Sequence, residues 1–156
     1  MAKQLERTVE ENALVPLTDP KPGKVKIELE EPYKDARGTI QSLLELTVRS
    51  VGVLTTEPGS VRANHYHKTD WHYCYVVSGR IEYYERPVGS SAPPKLTEIA
   101  AGELFFTPAM VEHAMYFPER TVFMTFSRNP RDHETYESDI VRVPLLDKPG
   151  SSCGCD

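Results

Sequence analysis

The stretch VRANHYHKTDWHYCYVVS (61–78) decides the reading, because it sets three imidazoles on two short runs of strand-forming residues. Side chains alternate along a strand, so His65 and His67 are expected to project to one face, with Val61 and Ala63. In the next run, HYCYVVS (72–78), His72 shares a face with Cys74 and Val76, which marks that face as inward. Tyr73, Tyr75 and Val77 take the other face. Farther on, VEHAMYF (111–117) aligns His113 with Val111, Met115 and Phe117. Each of these strands thus places its histidines on the apolar, core-side face. A buried imidazole without a partner costs on the order of 1–3 kcal/mol, and four facing one interior ask for something that coordinates them together. A divalent transition metal does so, since neutral imidazole nitrogen is a good ligand for zinc, iron, nickel and copper. His133, in NPRDHETY, sits in a polar connection and is expected to play no part.

Working outward, the same short-strand pattern fills most of the chain. Strands are expected near 25–29, 39–47, 49–56, 61–67, 72–78, 81–86, 95–99, 103–107, 111–117, 121–127 and 138–144. Turn chemistry separates them at Asp35–Gly38, Pro58–Ser60, Ser78-Gly79, Pro87–Pro94 and Ala101-Gly102. No segment carries a clear 3.6-residue apolar period, so the expectation is an all-β sandwich or barrel. Met110, Met115, Met124 and Phe126 are expected to line its interior. Pro16, Pro20, Pro22 and Gly23 punctuate residues 1–24, which read as an arm; 25–146 form the barrel and 147–156 a tail.

The 156 residues suit one core, and 18 basic against 23 acidic side chains give a net charge of −5. That balance disfavours nucleic acid or an anionic membrane as partner. No apolar run reaches the ~18 residues a membrane span needs. The charged start, MAKQLERTVEEN, is unlike a secretion signal, and three cysteines make no disulfide framework. The expected setting is cytoplasmic. Cys153 and Cys155 in the tail offer only two thiols, too few for a site, and Cys74 reads as a small buried residue.

The spacing resembles the cupin superfamily. Gly59, His65, His67, His72 and Gly79 follow the first cupin motif, and Gly102, Pro108 and His113 follow the second. His72 stands where the family usually has Glu, Met110 where it has a turn glycine, and Phe117 where it has Asn. The segments DARGTIQSLLE (35–45), EPGSVRANHYHKT (57–69) and NPRDHETYESDIVRV (129–143) are similar to cupins that act on sugar nucleotides. Those are the 4-keto sugar epimerases and ketoisomerases, and the C-terminal cupin of capsular-polysaccharide UDP-sugar reductases.

The resemblance implies a jelly-roll barrel with one divalent metal (Zn, Fe, Ni or Mn) at His65, His67, His72 and His113. It implies isomerisation or epimerisation of a sugar or sugar nucleotide, a small-molecule substrate, and a homodimer. Tyr73, Tyr75 and Tyr84 on outer faces are candidates for the dimer contact. Tyr83, inward on its strand, is the candidate catalytic acid, and His65 or His67 could instead act as a base without metal. Four neutral imidazoles leave a divalent site at +2, which favours an enediolate or another anion. Two other readings share the motif: a histidine-ligated non-haem iron dioxygenase, and a metal-containing cupin that binds a metabolite without turnover.

Overall fold

The computed structural model describes residues 19–147; residues 1–18 of the arm and all of the tail but Asp147, Cys153 and Cys155 included, lie outside the described residues. Two five-stranded antiparallel sheets face each other, as expected of a cupin jelly roll. The first runs β1 (Lys26–Ile27), β9 (Leu104–Thr107), β6 (His72–Ser78), β11 (Thr121–Ser127), β4 (Ser50–Thr56). The second runs β12 (Ile140–Arg142), β5 (Ser60–His67), β10 (Val111–Phe117), β7 (Arg80–Pro87), β8 (Lys95–Ala100). A separate hairpin pairs β2 (Tyr33–Asp35) with β3 (Gly38–Ile40).

Alternation along these strands builds one interior. Cys74, Val76, Ile81, Tyr83, Ile99, Phe105, Met115, Phe117 and Phe123 form a buried cluster between the sheets, with Phe117 and Phe123 stacked at 5.6 Å. The histidines lie toward one end of this core. That end follows from the ladders: His113 stands opposite His65 on one side and Glu85 on the other, while His72 pairs with Thr107 and Ser127.

The outer face of the first sheet is not open to solvent throughout. Trp71, Tyr73, Leu104 and Phe106 form a second buried cluster, covered by Ile27, Leu29, Leu44, Leu46 and Val48 from the start of the chain. This covering explains why every residue of β9 is buried. It also takes Tyr73 out of the set offered for a dimer contact, because the chain's own residues already occupy its face.

Several expectations change. The strand placed at 39–47 stops at Ile40; Leu44, Leu46 and Val48 alternate like a strand but pack their side chains without joining a ladder. The segment 138–144 is a strand only over Ile140–Arg142, and a helix, α1 (His133–Asp139), precedes it. Of the residues expected to line the interior, Met115 does so; Met110 is an exposed turn residue, Met124 pairs with outward Tyr75, and Phe126 packs on the outer cluster. In β5, Ala63 and Asn64 both adopt positive φ (67° and 55°), and the register opposite β10 skips Asn64. This bulge shifts the alternation, so Val61 faces Tyr116 across the ladder and leaves the face of the imidazoles, while His65 and His67 keep theirs.

Candidate functional site

The fold brings all four motif histidines together, each buried. His65, His67 and His113 form the tight set, with one donor atom from each lying within 4.8 Å of the others. Their ring centroids stand 4.8 Å (His65–His67) and 4.9 Å (His65–His113) apart. His72 flanks this set, its ring 5.5 Å from both His67 and His113.

Two of the rings are oriented from behind. His67 Nδ1 lies 3.2 Å from Asp139 Oδ2, and His113 Nδ1 lies 3.0 Å from the Val111 carbonyl. Both partners are acceptors, so each Nδ1 carries the proton and each Nε2 keeps its lone pair. Among the described residues, His67 Nε2 and His72 Nδ1 are buried without any hydrogen-bond partner. Burial drives the basicity of all four rings down: His67 to about 4, His113 to about 3, and His65 and His72 also well below the ordinary histidine range. Nearby Arg131 adds to the effect at every ring. At neutral pH the rings are therefore uncharged, the state in which imidazole binds a metal. Three neutral nitrogens converge, a fourth stands beside them, and two partnerless atoms await an electrophile; the residues fit a divalent transition metal.

Asp139 is the residue that sequence reasoning missed. Its carboxylate accepts from the Thr69 backbone N–H (2.9 Å), the Thr69 hydroxyl (2.6 Å) and the Asp70 N–H (3.1 Å), besides His67. Burial pushes its pKa up, but these hydrogen bonds outweigh that and hold it below the usual range. His67, Asp70 and Asp139 also group closely enough to hold a cation. The carboxylates there are already engaged, however: Asp70 by Arg131 (3.1 Å) and the Asn129 N–H (2.9 Å), Asp139 by Thr69. The imidazole set is the better donor group.

Helix α1 caps this end of the barrel. Asp132 caps its first turn by accepting from the Thr135 N–H at 3.0 Å, and Asp139 closes its last. The Tyr136 ring stands steeply inclined to those of His65 and His67, with ring centroids 6.1 and 6.0 Å apart, and the Arg131 guanidinium lies over the tyrosine ring at 5.2 Å. His133 is exposed on α1, away from the buried cluster.

Tyr83 points inward as expected, but into the core. Its hydroxyl is paired with Thr107 Oγ1 at 2.9 Å, its ring lies 6.2 Å from His113, and burial raises its pKa far above that of a free phenol. Met110, in place of the motif's turn glycine, adopts φ 60° and donates its N–H to the His67 carbonyl at 2.8 Å. The turn thus keeps the left-handed geometry that suits glycine.

A family model described as a cupin domain matches residues 52–126. No curated protein matches the chain by sequence. Among solved structures, dTDP-4-dehydrorhamnose 3,5-epimerase from Sulfolobus tokodaii superimposes with a TM-score of 0.61 at 17% identity, covering 78% of this chain and 85% of that one. The sugar 3,4-ketoisomerase QdtA from Thermoanaerobacterium thermosaccharolyticum, solved in complex with TDP, gives 0.59 at 16%, covering 72% and 82%. The capsular polysaccharide assembling protein CapF from Staphylococcus aureus gives 0.56 at 20%, covering 75% of this chain and 33% of CapF. At such identities the likeness speaks for the fold. Matched motifs, paired sheets and this end of buried imidazoles agree that the chain carries a cupin domain.

Proposed function

We propose that the chain is an enzyme that isomerises or epimerises a sugar or sugar nucleotide at a site holding one divalent transition metal on His65, His67, His113 and His72. The observation that carries this reading is the pair of buried imidazole atoms without partners, His67 Nε2 and His72 Nδ1, inside a cluster kept neutral by burial. Bound there, a divalent ion would act as a Lewis acid for a substrate carbonyl or its enediolate. The chain's own residues do the rest. Asp139 fixes which nitrogen of His67 is free, Val111 does the same for His113, and Tyr83 retains its proton against Thr107 at neutral pH. The neighbouring folds named for epimerase and ketoisomerase activity support the substrate class.

The test is elemental analysis of untagged protein prepared without added metal, followed by incubation with 4-keto sugar nucleotides in heavy water. About one metal per chain and uptake of solvent deuterium into the sugar are expected, with both lost in His67→Ala. Full metal occupancy in His67→Ala would contradict the ligand assignment. Oxygen consumption without deuterium uptake would move the chain to oxidative chemistry, and metal without either would make it a binding protein.

A further inference from the structure

Among the described residues, three buried side-chain atoms lack a hydrogen-bond partner: His67 Nε2, His72 Nδ1 and Arg131 Nε. The two imidazole atoms can offer lone pairs to a metal ion. Arg131 is a different case, because a guanidinium nitrogen only donates and no cation can satisfy it. Its Nε–H asks for an acceptor.

Arg131 sits against the imidazole cluster. Its Nη2 donates to Ser127 Oγ at 2.8 Å and lies 3.1 Å from Asp70 Oδ2. Ser127 stands directly opposite His72 in the β6–β11 ladder, and Asp70 precedes His72 by two residues. Directly opposed residues hold their Cβ atoms about 4.5–5.5 Å apart, so the bond to Ser127 brings the guanidinium close to His72. On its other side it lies 5.2 Å from the centre of the Tyr136 ring, which neighbours both His65 and His67. Its positive charge acts on all four imidazoles, making each less basic. The acceptors close by are engaged: Asp139 by Thr69, the Asp70 N–H and His67, and Asp70 by the Asn129 N–H and by Nη2 of Arg131 itself.

A divalent ion on the imidazoles would set a second positive centre beside this guanidinium. A neutral oxygen could satisfy the N–H but would leave the two charges opposed. A negatively charged oxygen answers both, and a charge-assisted hydrogen bond is the stronger kind.

We propose that Arg131 is a substrate-binding residue whose Nε–H takes an anionic oxygen, so that the imidazole site selects ligands that carry or develop an oxyanion. This deepens, and rests on, the reading of that site as a metal-dependent sugar isomerase or epimerase, in which the oxyanion is an enediolate. Asp70, Ser127 and Tyr136 hold the guanidinium in place beforehand, so it need not reorganise as the charge appears.

Titration of the cobalt-loaded full chain with glycolate, and with its neutral isostere glycolamide, tests it by visible absorption. Glycolate is expected to bind roughly tenfold tighter or more. Arg131→Met should remove that preference, with cobalt content and glycolamide affinity unchanged. Because Arg131→Met leaves the Asp70 carboxylate buried without its cation, Arg131→Met/Asp70→Asn is measured beside it, and Arg131→Lys, which keeps the charge but not the planar fork, should fall between. Glycolate that binds no tighter than glycolamide, or a preference that survives in the folded variants, overturns the proposal; so does an equal loss of both ligands, which marks Arg131 as structural only. Deuterium uptake into a 4-keto sugar nucleotide at full rate in a folded Arg131 variant likewise removes the role of Arg131 and leaves the isomerase reading standing. Arg131-dependent glycolate binding without deuterium uptake into any such sugar does the reverse. A chain that takes up no cobalt overturns both.

Discussion

Asp139 Oδ2 lies 3.2 Å from His67 Nδ1, although 72 residues separate the two along the chain. A carboxylate behind a ligating imidazole fixes the tautomer and raises the basicity of the free nitrogen. Asp139→Asn keeps the shape but removes the charge. It should weaken metal binding roughly 10–100-fold while leaving the circular dichroism spectrum unchanged. Competition against a chelator reads the affinity; an unchanged value would mean that His67 does not use Nε2 as a ligand atom.

Met110 gives a second prediction. A non-glycine residue at φ 60° carries backbone strain, and at 49% exposure this side chain contributes little packing. Met110→Gly should stabilise the fold by up to about 1 kcal/mol, glycine's freedom in the unfolded chain offsetting part of the relieved strain. Urea denaturation measures it. A loss of stability would show that Met110 makes contacts that outweigh its strained backbone.

Glycines at positive φ separate two costs. Gly79 has φ +84°, and an added Cβ there would strike the Thr121 hydroxyl and the Arg120 carbonyl; Gly59 has φ +79° with nothing within 4 Å. Gly59→Ala should cost about 1–2 kcal/mol, the conformational term alone. Gly79→Ala should cost clearly more and unfold at a visibly lower temperature. Equal costs in thermal melts would refute the steric part of this account.

Acid should loosen the metal-free protein. Unfolded histidines take up protons near pH 6.5, whereas burial holds His67 to about 4 and His113 to about 3. The unfolded state therefore binds more protons between these values, so the stability is fully present above 6.5 and falls as pH drops toward 4. Asp70 works the other way, since burial raises its pKa. The melting temperature of chelator-treated protein should decline across that window, and less so in His67→Gln. A flat profile would contradict the buried, neutral state of the rings.

How much of this was legible in the sequence follows from what each residue depends on. Period-2 alternation on β6 and β10 put His72 and His113 on core faces, and the spacing of the two motifs set the ladders that bring them together. Strand period alone could not show the bulge at Ala63 and Asn64, because it depends on two left-handed backbones. Leu44, Leu46 and Val48 mimic a strand because covering a sheet demands the same spacing of apolar side chains as joining one. Helix α1 is seven residues long, too short to show an apolar period, yet Asp132 followed by Glu134 in the first turn was a readable start signal. Asp139 was hidden for a different reason: its partners lie at the far-removed end of β5 and on the loop after it, and no local pattern announces a contact made by chain closure.

The wrap of residues 25–48 over the first sheet has a practical outcome for anyone trimming the gene. A clone cut to the stretch matched by the family model, 52–126, would retain all four imidazoles yet bare Trp71, Tyr73 and Phe106 and delete the carboxylate behind His67. Such a fragment should precipitate on expression and come out metal-poor, so the smallest workable unit reaches well beyond its recognisable motifs on both sides.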